Sequence, residues 1–144
     1  MSLFVDTWGW LALRDRREAK HEEVKSYFQE ALQEPGPIYT TDYVLTETIT
    51  LLFKRLPFEN AWGGYQQIES ARRNEFLTVV WVGRDRFDDA LQFRQRYSDK
   101  PDISFTDLTS MVVMEELGLR DVLTGDAHFE HVGMGLRLQP QGRH

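Results

Sequence analysis

The chain contains no cysteine. That excludes disulfides, thiolate metal sites and cysteine nucleophiles. Long apolar runs are also missing. The stretches 78–82 and 111–114 fall far short of the ~20 residues a membrane span needs. The N-terminus lacks the basic, apolar and small-residue regions of a signal peptide, so a cytoplasmic setting without membrane contact is expected. Positive charge is scarce. Lys and Arg total 17 against 23 Asp and Glu, a formal net charge of −6. Phosphate neutralisation supplies most non-specific affinity for nucleic acid, so this balance argues against a simple DNA-binding module. It leaves open a metal-dependent nuclease, whose clustered carboxylates are neutralised by bound cations.

What is present is a chain of 144 residues, 41% apolar and 28% charged. That suits one domain, 1–144, with a sizeable core. Short β-prone runs at 2–6, 38–41, 76–82, 121–124 and 136–138 alternate with helical stretches. The first helix starts near Gly9. His21–Gln33 carries Val24, Tyr27, Phe28, Ala31 and Leu32 at helical spacing, and Pro35-Gly36-Pro37 ends it. Asp42 is placed as the N-cap of a third helix with Leu45, Ile49, Leu52, Phe53 and Leu56 on its apolar stripe, stopped by Pro57. A helix over 59–74 carries Gly63-Gly64. Another, over 84–97, shows Phe87, Ala90, Leu91 and Arg94 on one side. The last helix, 105–117, stops at Gly118, and the tail 139–144 is expected to fray. Strands alternating with helices predict an α/β fold, three layers α/β/α around a central, mostly parallel sheet. Ligands bind such sheets beyond the carboxyl ends of the strands.

Carboxylates gather at those ends. Asp6 follows the first strand and Asp126 the fourth, so parallel strands put both on one sheet edge. Asp107 lies in the first turn of the last helix. Glu47 sits early in the third, off its apolar stripe. Four acids on one edge repel and persist only with protons or divalent cations. Mg²⁺ and Mn²⁺ prefer such hard oxygen ligands, and two such ions can activate a water and stabilise the leaving oxygen of a phosphodiester.

Each acid alone also suits a structural role. Asp6 could cap the first helix, and Ser104-Phe-Thr-Asp107 fits a capping box. Glu47 could be a solvated surface acid, and Asp126 a turn residue after Gly125. Asp42 and Asp85 also follow strand-like runs, so strand-end position alone does not select the set. His128 and His131 give a weak transition-metal signal without a third ligand of that kind, and His128-Phe129 reads as turn packing. Trp8, Trp10 and Trp81 read as core or interface packing ahead of base stacking. Arg14, Arg16, Arg17 and Lys20 form the densest basic group, read as a solvated loop.

Together these residues resemble the PIN-domain family, especially its small stand-alone toxins of the VapC type. Phe4-Val5-Asp6-Thr7 resembles the opening strand with the first acid, and Tyr43-Val44-Leu45-Thr46-Glu47 the second-acid motif. Ser104-Phe-Thr-Asp107 resembles the third. Val122-Leu-Thr-Gly-Asp126-Ala-His-Phe129 resembles the fourth, with Gly125 where relatives often have a larger residue. The resemblance implies a metal-dependent endoribonuclease with Asp6, Glu47, Asp107 and Asp126 as its Mg²⁺ or Mn²⁺ site. It also implies an RNA substrate, a cognate antitoxin and a homodimer. Thr7 and Thr106 match positions that carry a hydroxyl near the site, and Asp102 is a candidate outer acid.

The competing readings are a non-catalytic PIN-like scaffold that contacts RNA or protein, and a phosphate-handling domain of another class. A phosphotransfer receiver needs an acid pair on its first strand and a late lysine, whereas Asp6 is alone and no lysine follows Lys100. A haloacid-type phosphatase needs a second Asp two residues after the first, where Trp8 stands.

Overall fold

The three apolar residues Leu3, Phe4 and Val5 are wholly buried, as expected of a strand covered on both faces. They form β1 (Leu3–Val5), the middle strand of five. The structure, a computed structural model, describes residues 2–141. In chain order, α1 (Thr7–Arg14), α2 (His21–Gln33), β2 (Ile38–Thr41), α3 (Asp42–Arg55), α4 (Phe58–Arg73) and β3 (Leu77–Val80) follow β1. Then come α5 (Gly83–Arg96), α6 (Phe105–Leu117), β4 (Asp121–Leu123), a single 3₁₀ turn (Ala127–Phe129) and β5 (Arg137–Gln139).

The strand order is β3-β2-β1-β4-β5, and every pairing is parallel. Helices flank this sheet in the expected three-layer α/β/α arrangement. Among the described residues no helix is long and apolar enough to cross a membrane. The helix nearest the centre is α6, where every residue from Leu108 to Met114 is buried. Seven consecutive buried residues cover every face of the helix over that run, which places it inside the core. Ser104 starts it by accepting the Asp107 N–H at 3.0 Å, and Gly118 ends it at φ 68°, a left-handed cap that glycine adopts without strain.

Several details differ from the sequence reading. The buried line of α3 is Val44, Thr48 and Leu52, while Ile49 is exposed. A threonine in the middle of that line hides it from a search for apolar residues. Thr41, not Asp42, caps α3 by accepting the Val44 N–H at 3.0 Å. The Asp42 carboxylate instead accepts the Val82 N–H at 2.8 Å and ties the end of β3 to α3. In α5 the buried residues are Ala90 and Phe93, followed by Tyr97; Phe87 and Leu91 face outward. Arg94 gathers the carbonyls of Tyr97, Lys100 and Ile103 and so fixes the loop before α6.

Trp10 is a core residue, donating Nε1–H to Thr40 Oγ1 at 3.2 Å, but Trp81 is 71% exposed and packs in no core. The basic group is partly engaged. Arg14 bonds the Asn60 carbonyl, and Arg17 pairs with Asp15. The expected frayed tail, 139–144, is described only to Gln141, and Gln139 still belongs to β5; 142–144 lie outside the described residues.

Candidate metal centre

β1 and β4 run side by side, Val5 opposite Leu123, and the chain leaves them toward opposite sides of the sheet. That is the topological switch point, where the crevice beyond the strand ends opens. Asp6 follows β1 there, its N–H donating to the Leu123 carbonyl at 3.2 Å. It occupies the N-cap position of α1, yet its carboxylate makes no capping bond. One oxygen, Oδ2, accepts the Thr124 hydroxyl at 2.9 Å, and the Thr7 N–H also bonds the carboxylate. The other, Oδ1, is buried without a partner, as is the Thr7 hydroxyl.

Thr124 couples two acids. Its Oγ1 also accepts the Asp126 N–H at 3.0 Å. The Asp126 Oδ1 accepts the His128 N–H at 2.9 Å and opens the 3₁₀ turn. Asp107 comes in from the first turn of α6 and is 7% exposed. The forward half of its capping box is formed by Ser104, while its carboxylate faces His128. The His128 Nδ1 lies 3.1 Å from Asp126 Oδ1 and 3.5 Å from Asp107 Oδ2. One donor atom from each of these three residues falls within 4.8 Å of the others.

Burial is the main force on the two deepest acids. It raises the Asp6 carboxyl from 3.8 to about 7, helped by the charges of Asp107 and Asp126 and opposed by the Thr124 and Thr7 hydrogen bonds. Burial, then the Asp126 charge, raises Asp107 to about 6, with Glu47 adding to it and His128 opposing. Asp6, Asp107, Asp126 and Glu47 therefore share one electrostatic neighbourhood, assembled from β1, α6, the β4 end and α3.

Two further candidates make no side-chain hydrogen bond to the cluster among the described residues. Asp102 is exposed in the loop before α6, and no hydrogen bond among the described residues joins it to the cluster. Thr106 is half-buried in the first turn of α6, where its carbonyl accepts the Thr109 hydroxyl at 2.6 Å. Conversely, Thr124 touches Asp6 and the backbone of Asp126 although only its place in the fourth motif marked it, and His128, read from the sequence as a weak metal signal and a packed turn, faces Asp107 and Asp126.

Gly125 has a steric reason. A Cβ there would come within 2.6 Å of the half-buried Trp8 ring. The indole fills the space a side chain at 125 would need.

The donor set fits a small divalent cation. A buried oxygen of Asp6 lacks any partner among the described residues, and the raised pKa values of Asp6 and Asp107 mark crowded negative charge that a cation would neutralise. The ligands are mostly hard oxygens on three separate elements.

Comparison with known proteins agrees with this arrangement. The family model of the PIN domain matches residues 3–134. A 23S rRNA-specific endonuclease, VapC20 of Mycobacterium tuberculosis, is 31% identical over 142 residues, 96% of this chain and 99% of that protein. A VapC ribonuclease of Archaeoglobus fulgidus is 29% identical over 131 residues, 90% of this chain and 80% of that one. The crystal structure of the M. tuberculosis VapC20, described as a toxin cleaving the sarcin–ricin loop, superposes with a TM-score of 0.77 at 28% identity, covering 94% and 98% of the two chains. A VapBC2 structure from Rickettsia felis, bound to a promoter DNA fragment, shares the fold at TM-score 0.73 and 14% identity, covering 96% and 98%.

Proposed function

The chain belongs to the PIN-domain family, and from that premise we propose that it is a metal-dependent endoribonuclease, the toxin of a toxin–antitoxin pair. The observation that carries this reading is the convergence of Asp6, Asp107 and Asp126 at the switch point, with a buried oxygen of Asp6 left without a partner. These three acids and Glu47 hold Mg²⁺ or Mn²⁺. Such a cation supplies charge neutralisation at a phosphodiester and an acidified water. The chain itself fixes the ligands. Thr124 and the Thr7 N–H orient Asp6, and the same threonine holds the backbone of Asp126. The Ser104 cap sets the first turn of α6 and with it Asp107.

We read the whole chain as one such domain acting in the cytoplasm, where its RNA substrate is found. The relationship to VapC20 makes a sarcin–ricin-loop RNA the first substrate to try. An antitoxin partner and a homodimer complete the proposal. The exposed Ile49, Trp81, Phe87 and Leu91 supply apolar surface for an interface between copies.

The deciding experiment combines cleavage of that RNA with Mn²⁺ calorimetry, on wild type and Asp107→Asn, using circular dichroism as the fold control. Chelator-sensitive cleavage and Mn²⁺ binding in wild type, both lost in the folded variant, are expected. Equal binding by both proteins, or by neither, reduces Asp107 to a helix-cap residue and returns the chain to the scaffold reading.

A further inference from the structure

His128 is the one nitrogen among the oxygens at this centre. Its buried Nδ1 lies 3.1 and 3.5 Å from oxygens of Asp126 and Asp107, near enough to act on the Asp107 carboxyl but out of line for a well-formed hydrogen bond. The ring faces both carboxylates, and the nitrogen and the two carboxylate oxygens surround a space that one cation could share. In an octahedral shell with bonds of ~2.1 Å, neighbouring donors sit about 3 Å apart. The two separations match adjacent corners of such a shell after a small inward movement. Asp6 gives an independent sign of a missing cation, since its Oδ1 is also orphaned while the residue is only 3% exposed. The backbone fixes the histidine too. Its own N–H is bonded by Asp126 Oδ1 at 2.9 Å, and the next residue, Phe129, is wholly buried.

We propose that His128 ligates the cation through Nδ1, beside Asp107 and Asp126, and that this nitrogen makes the centre favour Mn²⁺ over Mg²⁺. The inference rests on the metal-dependent reading above. The neutral ring carries its proton on Nε2 in this role. Imidazole suits first-row transition ions, whereas Mg²⁺ prefers oxygen and keeps its waters. The other described histidines do not compete. His21 Nδ1 is held by the Ala12 carbonyl at 2.7 Å, and His131, just past the 3₁₀ turn, is exposed.

The test is pulsed electron paramagnetic resonance of the Mn²⁺-loaded protein, which reads ¹⁴N coupling from a directly bound imidazole. Wild type should show one such nitrogen, and growth on ¹⁵N-histidine should change the signal in the predicted isotopic sense. The signal should vanish in His128→Asn and persist in His131→Ala. Calorimetry should show His128→Asn losing at least roughly 10-fold in Mn²⁺ affinity, with Mg²⁺ affinity little changed. Mn²⁺ bound without ¹⁴N coupling overturns the histidine ligand and leaves the carboxylate site standing. Coupling that survives in His128→Asn assigns it elsewhere and also overturns the proposal. Failure of wild type to bind Mn²⁺ overturns both readings together. The isotope experiment needs no variant, so misfolding of His128→Asn would not shelter the proposal.

Discussion

The Asp6 carboxyl should make the chelated protein less stable at high pH, the reverse of the usual behaviour of an aspartate. In the fold it keeps its proton up to about pH 7, whereas in the unfolded chain it ionises near 3.8. Between those values the folded state binds more protons, so unfolding free energy falls as pH rises, and the whole loss is present above pH 7. A shift of about 3 units corresponds to about 4 kcal/mol at 1.36 kcal/mol per unit. Asp107, raised to about 6, shares part of the same repulsion, so the two contributions do not simply add. Asp6→Asn removes the ionisation, keeps an acceptor for the Thr124 hydroxyl, and places an amide donor among carboxylates. Urea unfolding of EDTA-treated protein at pH 5 and pH 8.5 measures the effect. The Asp6 share of the wild-type loss between these values is about 3 kcal/mol, since the part of the shift below pH 5 is already spent, and Asp6→Asn should lose much less and exceed wild type at pH 8.5. Saturating Mn²⁺ should restore wild type, by about 2.7 kcal/mol at a hundredfold excess over Kd, and leave the variant nearly unchanged. Equal wild-type stability at both pH values, or a variant weaker than wild type at pH 8.5, would refute the burial argument.

Glu47→Gln should retain the fold, because Glu47 lies off the Val44–Thr48–Leu52 line, yet lower RNA cleavage by at least about 10-fold; unchanged turnover removes it from the site. Gly125→Ala should cost about 1–3 kcal/mol, because its Cβ meets the Trp8 ring. Adding Trp8→Ala should recover part of that cost, with a coupling above about 0.5 kcal/mol in a double-mutant cycle. Ser104→Ala should destabilise by about 1 kcal/mol through loss of the α6 cap. It should also weaken Mn²⁺ binding, and full affinity would show that Asp107 is positioned without it.

The fold was legible because its signals are local. Apolar runs such as Leu3-Phe4-Val5 and Met111–Met114 of α6 need no partner to be recognised. Gly118 announces the stop of α6 through a conformation that only a few residues tolerate. The inner faces of α3 and α5 were misread for the opposite reason. Thr48 is buried and Ile49 exposed because neighbouring helices choose the covered line, and hydrophobicity along one helix does not record that choice. Asp42 shows the same limit. Its cap role passed to Thr41 because the Val82 N–H, forty residues away, takes its carboxylate.

The structure explains why a structural and a metal-binding reading both fitted Asp126, Asp107 and Asp6. Asp126 does hold a turn, through the His128 N–H, and it still presents its carboxylate to His128 and Asp107. Asp107 does sit in a capping box, but Ser104 alone makes the capping bond, which frees the acid's oxygens. Asp6 does stand at an N-cap position, yet Thr124 draws its carboxylate away from the helix end. Local roles place the backbone, and long-range contacts turn the carboxylates inward. A sequence displays the first and hides the second. This is why Thr124, whose carboxylate partner Asp6 follows β1, was not singled out, and why His128, which faces Asp107 of α6, read as turn packing. The same division predicts where substitutions will separate stability from metal affinity. Changes at Ser104 act through the backbone and touch both, whereas changes at His128 act on the cation and on the Asp107 carboxyl that the ring faces.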